Sequence, residues 1–321
     1  MAASRYPLKV GAIELVQHGE NTTFRVDAKG GQKYLLRVHR PGYHTKAAIQ
    51  EELAWLDQLS QAGLSVPKPI AAKSGEWVET VGSHDLPAPL SCSLLHWLDG
   101  RFIRKSVSPK HLYRVGAMVA DLQTRAARSV VVHRRYWGSE GLVGAGARFG
   151  SVDSLAGIRP ELQAAITRAR KRVLQELREF ERRFPQRQGL IHADLHFGNI
   201  LSAGGRLLAI DFDDCGHGFH AYDLAVPLLS AEGMVGNERR ARLPELEDAL
   251  ILGYSSKKTW DRHDERVFPY FIAARRLAML GWLSSRRDHP KLKKLLKRAA
   301  AKAVRSLQRR GLAGLLQKVA D

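Results

Sequence analysis

Cysteine is scarce: Cys92 and Cys215 are the only two in 321 residues. Neither belongs to a CxxC pair, which removes sequence support for a structural zinc site, and two isolated thiols suit a reducing compartment better than a disulfide framework. Long hydrophobic runs are missing too. No apolar stretch approaches the roughly 20 residues a bilayer-spanning helix needs, and the longest, Leu224 to Ala231, is interrupted by Pro227. The opening stretch, Met1 to Glu14, has no apolar core of signal-peptide length, so the expected location is cytoplasmic and no membrane span is expected. Acidic residues are few, 32 against 51 Lys and Arg, which leaves a formal charge of +19. With 44% hydrophobic and 26% charged residues, the chain is nonetheless expected to be an ordinary folded protein.

About half of the excess charge is concentrated in one segment. From Arg286 to Arg310 there are eleven Lys or Arg and one acid, Asp288. Within it Leu295, Leu296, Ala299, Ala303 and Leu307 recur at helical spacing, which predicts a helix with one apolar stripe and a solvated basic surface. Such a surface can attract an anionic partner weakly, in a salt-sensitive way, without specific nucleic-acid recognition.

Strand patterns dominate the first hundred residues. Thr22 to Asp27 and Lys33 to Val38 flank Lys29-Gly30-Gly31, a hairpin signal. Ile49, Leu53, Leu56 and Leu59 predict a helix over 46–61, and Gly63 closes it. Further strand-like runs cover Trp77 to Val81 and Leu90 to Leu98, before the turn signal Asp99-Gly100. Helical patterns then take over, from the cap Ser108-Pro109 and again from Pro160, with 139–158 reading as a long loop and a β-rich insert running from Leu190 to Phe212. The expected fold is α+β, with a small β-rich lobe over 1–98 and a larger, mainly helical lobe over 99–321.

The chemistry is concentrated in Gly189-Leu-Ile-His192-Ala-Asp194-Leu-His196-Phe-Gly-Asn199-Ile-Leu, followed after Gly204-Gly205 by an apolar run and Asp211-Phe212-Asp213. H-x-D-x₄-N plus a strand-borne Asp is the pattern of kinase active sites. Phosphoryl transfer needs one carboxylate to orient the acceptor hydroxyl and take its proton, a role for Asp194. It also needs hard oxygen donors for Mg²⁺, which Asn199 and Asp211 supply. His192 would brace the loop. A rival reading makes His192, Asp194 and His196 metal ligands on one strand face, but it leaves Asn199 and Asp211 unexplained.

With these motifs, and Tyr222-Asp223-Leu224-Ala225 downstream, the chain resembles the aminoglycoside phosphotransferase-like family, which includes type II homoserine kinases, choline kinases and a bacterial stress-response protein kinase. The resemblance runs from about Gly11 to the helices near Trp282. It implies a two-lobed, protein-kinase-like fold with ATP and Mg²⁺ as cofactors, Asp194 as base, and Asn199 and Asp211 as metal ligands. It also implies that Asp223 pins the catalytic loop through its backbone. Tyr34-Leu-Leu-Arg37 matches the strand carrying the phosphate-side cation, with arginine where the family usually has lysine. Glu52 is the implied ion-pair partner, with Glu51 as the alternative. The phosphate-covering loop would be His18 to Thr23, through Asn21 and Thr22, and the adenine hinge would include His96 and Leu98.

The leading functional reading is therefore an ATP-dependent phosphotransferase moving the γ-phosphoryl group to a hydroxyl of a small-molecule acceptor. A protein Ser/Thr kinase is the alternative, and no APE-like activation segment follows Asp211. A non-catalytic nucleotide-binding module is the third reading.

Overall fold

The computed structural model describes residues 2–82, 88–103, 107–125, 132–235, 242–286 and 290–309. Two compact units emerge: one comprises Met1–Ser106, Asp121–Arg135 and Asp194–Gly216, the other Val107–Ala120, Tyr136–Ala193 and His217–Asp321.

The first unit is built on an antiparallel sheet of β1 (Val10–His18), β2 (Thr22–Ala28), β3 (Lys33–Val38), β4 (Pro69–Ile70), β5 (Val78–Val81) and β6 (Leu90–His96), in the order β1-β2-β3-β6-β4, with β5 also on β6. Strand alternation gives its faces different tasks. Phe24, Leu36 and Leu94 lie opposite one another across β2, β3 and β6 and turn to a core that includes Tyr6, Val26 and Cys92. Thr23, Arg25, Lys33, Leu35 and Arg37 take the alternate positions and line a cavity.

Helix α1 (Lys46–Gln61) begins at Thr45, whose hydroxyl accepts the Ala48 N–H, and Gly63 at φ 80° follows its end. Ile49, Leu53, Leu56 and Leu59 are buried as the periodicity predicts, and Glu52 lies fully buried in the same stripe. This unit also holds β7 (Arg101–Phe102), followed much later in the chain by a hairpin made of β10 (Ile200–Ala203) and β11 (Arg206–Ala209), with β10 pairing both.

The second unit holds most of the helices. Helix α2 (Pro109–Arg125), of which Pro109–Ala120 belong to this unit, buries Leu112, Val115 and Val119 here and Leu122 in its last turn. The stretch 139–158, expected as loop, opens instead with a one-turn helix, α3 (Ser139–Val143). Helix α4 (Pro160–Arg183) buries Ile166, Ala169, Val173, Leu177 and Phe180. A small sheet orders β8 (Tyr136–Trp137), β12 (Gly216–Phe219) and β9 (Gln188–Ile191). Then come α5 (Tyr222–Val235), α6 (Leu243–Ser255), α7 (Arg262–Ser285) and α8 (Pro290–Arg309). Helices α2 and α6 meet at glycines. A Cβ on Gly116 would lie 2.0 Å from the Leu250 carbonyl oxygen, and one on Gly253 would lie 1.8 Å from that of Tyr113, so only hydrogen fits at either position.

The buried row of α8 is Leu296, Ala300 and Ala303. Leu295, expected in the stripe, is 46% exposed, because the helix turns its i, i+4, i+7 row to α4 and α7. Of the basic segment, Arg287, Asp288 and Arg310 lie outside the described residues, as do the side chains of Lys291, Lys293, Lys294, Leu307 and Arg309. Among the described residues no helix is long and apolar enough to cross a membrane. Both cysteines are free and buried.

Candidate active site

A cavity of about 480 Å³ lies within the first unit. Asp194, Asn199 and Asp211 line it, together with Arg37, Asn21, His96 and Leu98. Residues spread over nearly 200 positions of sequence therefore face one space.

The local backbone explains how the two chain-close groups meet. After Asp194 the chain makes a short 3-10 turn, Phe197–Asn199, capped by the His196 side chain, and enters β10. The hairpin β10–β11 returns through Gly204-Gly205, at φ 52° and 76°, values a two-residue turn of this hand requires. The Ile210 N–H then donates to the Asn199 carbonyl at 3.0 Å, so Asn199 and Asp211 leave the ladder side by side. Asp211 sits at φ 63°, a left-handed conformation in which few non-glycine residues are found. The Asn199 side-chain nitrogen donates to the Asp194 carbonyl at 2.9 Å, leaving its Oδ1 as a hard oxygen donor. The Asp211 carboxyl is 55% exposed. Two such oxygens on a rigid hairpin suit a divalent cation that takes its remaining ligands from phosphates and water.

Around Asp194, His196 accepts the Gly198 N–H on Nδ1 at 2.9 Å. That bond puts the proton of the neutral ring on Nε2, 3.5 Å from the Asp194 carboxylate. His192 is fully buried and His196 is not, and both stand on a loop, so the three ligand-type residues do not share a strand face. Asp223, in the first turn of α5, takes the backbone N–H groups of His192 and Ala193, directly upstream of Asp194.

Arg37 is buried, and its Nη1 donates to Glu52 at 2.5 Å while Nη2 stands 3.8 Å from Asp211. Burial works against its charge, but Glu52, Asp211 and Asp213 hold the guanidinium pKa above its ordinary value. Burial likewise opposes the charge on Glu52, and Arg37 with Arg134 overcomes it, keeping the carboxyl below the usual range. Of the two adjacent glutamates, Glu52 meets Arg37, while Glu51 binds backbone N–H groups of residues 132–134. Glu52 stands behind Arg37 and does not line the cavity.

The expected phosphate loop is the β1–β2 connection. Asn21 lines the cavity and its Oδ1 accepts the Arg40 N–H at 3.1 Å. Thr22 faces the other way, 2.8 Å from His18 Nδ1, and strand alternation brings Thr23 to the cavity in its place. In the stretch expected as the hinge, His96 N–H donates to the Lys68 carbonyl and Trp97 N–H to that of Lys33. Sequence reasoning missed Tyr43 and His44, whose side chains hold the Asp214 carboxylate and the Asp213 carbonyl, and Arg134, 3.6 Å from Glu52. None of the three stands in a motif.

The model of the phosphotransferase enzyme family matches residues 13–266. The chain belongs to this family. Among solved structures, a microcompartment-associated aminopropanol kinase superposes with a TM-score of 0.81 at 29% identity, over 99% of this chain and 98% of that one. An amicoumacin kinase solved with AMP-PNP, Ca²⁺ and Ami superposes with a TM-score of 0.80 at 21% identity, over 95% and 91% of the two chains, a likeness of fold. The amicoumacin kinase of Bacillus subtilis (strain 168) is 24% identical over 293 residues, 88% of this chain and 82% of that protein. The fold is thus the α+β, kinase-like one expected from the sequence. As a member of the phosphotransferase family the protein is an ATP-dependent enzyme with an alcohol group as acceptor.

Proposed function

We propose that the protein is a small-molecule kinase that moves the γ-phosphoryl group of ATP to a hydroxyl, with Asp194 as the base. The observation that carries this reading is the shared cavity of Asp194, Asn199, Asp211 and Arg37. In the proposed reaction the Asp194 carboxylate orients the acceptor hydroxyl and accepts its proton as the oxygen bonds to the γ-phosphorus and the bridging P–O bond to ADP breaks. Mg²⁺ held by Asn199 and Asp211 would neutralise charge on the triphosphate. Arg37 meets the phosphates, Asn21 and Thr23 cover them, and His96 to Leu98 receive the base. The nucleotide is assigned to lobe 1–98, catalysis and acceptor to lobe 99–321, and the activity to the cytoplasm, where ATP is supplied.

The acceptor class we propose is a short amino alcohol. Support comes from the aminopropanol kinase, which aligns along nearly the whole chain. The net charge of +19 argues against a cationic ligand only globally. The test is ATP and Mg²⁺ with a panel of amino alcohols, homoserine, choline, sugars and mixed proteins, read by mass of the phosphorylated product. Phosphorylation of an amino alcohol is expected. Transfer to protein serine alone would replace this reading with the protein-kinase one, and nucleotide binding without any transfer would make the chain a binding module.

A further inference from the structure

We infer that Arg134 is a positioning residue of this phosphotransfer: it locks Glu52 and the 212–215 backbone into one block, so that Arg37 can turn to a nucleotide phosphate. The inference rests on the kinase reading of the cavity.

The side chain of Arg134 is completely buried. Its Nε donates to the Cys215 carbonyl at 2.8 Å and Nη2 to the carbonyls of Phe212, at 3.2 Å, and Asp213. Nη1 donates to the Ala48 carbonyl at 3.3 Å and lies 3.6 Å from Glu52 Oε2. Every nitrogen of one planar fork is thus engaged, on α1 at one end and just beyond Asp211 at the other. A lysine ammonium, a single point of charge, cannot reach these partners together.

The arginine is itself held by the helix it contacts. Glu51 accepts the N–H groups of Val132, His133 and Arg134 at 3.0 to 3.1 Å, and His133 Nδ1 lies 2.7 Å from it. Consecutive glutamates of α1 therefore take separate parts of one segment: Glu51 its backbone, Glu52 its side chain.

Charge explains why this matters for the reaction. Glu52 is fully buried, and a buried carboxylate is costly without a counter-charge. Were Arg37 its only partner, a phosphate drawing Arg37 away would strand it. Arg134 removes that conflict, because its guanidinium is tied to four carbonyls and cannot follow the ligand. Arg37 already splits its fork, Nη1 on Glu52 and Nη2 toward Asp211 at the cavity.

The test compares Arg134→Met, Arg134→Lys and Arg37→Ala in the full chain by calorimetric titration with Mg²⁺ and AMP-PNP, which requires no acceptor, and by steady-state kinetics. Arg134→Met should weaken AMP-PNP binding and raise the KM for ATP by about tenfold, with the acceptor KM within about twofold. Arg134→Lys should fall between it and the wild type. In AMP-PNP affinity, Arg37→Ala should cost much less in the Arg134→Met background than alone, since Glu52 there already holds Arg37 back from the phosphates. Unchanged nucleotide affinity in a folded Arg134→Met protein, or full additivity with Arg37→Ala, would overturn the inference. If Arg134→Met does not fold, Glu51→Gln serves instead: about threefold weaker AMP-PNP binding supports the inference, and unchanged binding overturns it. A wild-type protein that binds AMP-PNP but phosphorylates no acceptor would sink the functional reading and leave this titration interpretable.

Discussion

The carboxylate of Asp223 receives two consecutive backbone N–H groups, His192 on Oδ2 at 2.8 Å and Ala193 on Oδ1 at 2.7 Å. Ala193 stands at φ 65°, a conformation that costs energy for an alanine, and its N–H is one of the two that the carboxylate accepts. Asp223→Ala would leave two buried donors unmet, at about 1–3 kcal/mol each. The variant should unfold at lower urea concentration and lose turnover beyond what its reduced stability explains. A denaturation curve matching the wild type would remove Asp223 from this role.

Asp194→Asn should keep nucleotide affinity and lower kcat by about 10² or more, the scale of losing a positioned base. Product formation within a factor of a few of wild type would exclude Asp194 as the base.

For Asp211 two properties can be separated. Asn tolerates the left-handed backbone better than Ala does, but it offers a weaker ligand to a hard cation. Asp211→Asn should retain thermal stability and lose Mg²⁺-dependent nucleotide binding, whereas Asp211→Ala should lose both. Mg²⁺-dependent affinity equal to wild type in either variant would remove the ligand role.

Arg37→Ala removes the closest partner of a fully buried carboxylate and should destabilise the fold by about 3–5 kcal/mol. Arg37→Lys keeps the charge and should cost less in both stability and KM for ATP. Equal damage from the two would point to the planar fork, not the charge, as the required property.

Truncation before Pro290 removes the buried row Leu296, Ala300 and Ala303, and with it Lys302, 3.8 Å from Glu232. Burial of the leucine alone contributes about 1.5–3 kcal/mol, so a lower melting temperature and poorer solubility are expected. Untouched stability with loss of tight binding to an anionic partner at physiological salt would assign the helix to that partner.

The sequence made Asp194, Asn199 and Asp211 legible as a group because one loop and one hairpin carry them, and short connections preserve spacing. Helical phase could have separated Glu52 from Glu51, since only Glu52 falls within the Ile49–Leu53–Leu56 stripe. Thr22 and Thr23 differ by a single step of strand phase, which an isolated polar loop cannot fix. Arg134, Tyr43 and His44 were illegible for another reason. Their partners lie 78 to 171 positions away, and no spacing rule links such segments before the chain has folded. The strand β12, Gly-His-Gly-Phe, carries no alternating pattern, and α3 is too short to show a period.

The hairpin that carries Asn199 and Asp211 ends in two exposed glycines at its far tip. Four paired rungs set the separation of the two oxygen donors, and the left-handed two-glycine turn sets which residues pair. A change of length at Gly204-Gly205 would therefore shift the register, and a one-residue slip in either strand would turn Asn199 or Asp211 to the opposite face. The turn is thus a gauge: two exposed residues at the far end of the hairpin fix the spacing between Asn199 and Asp211.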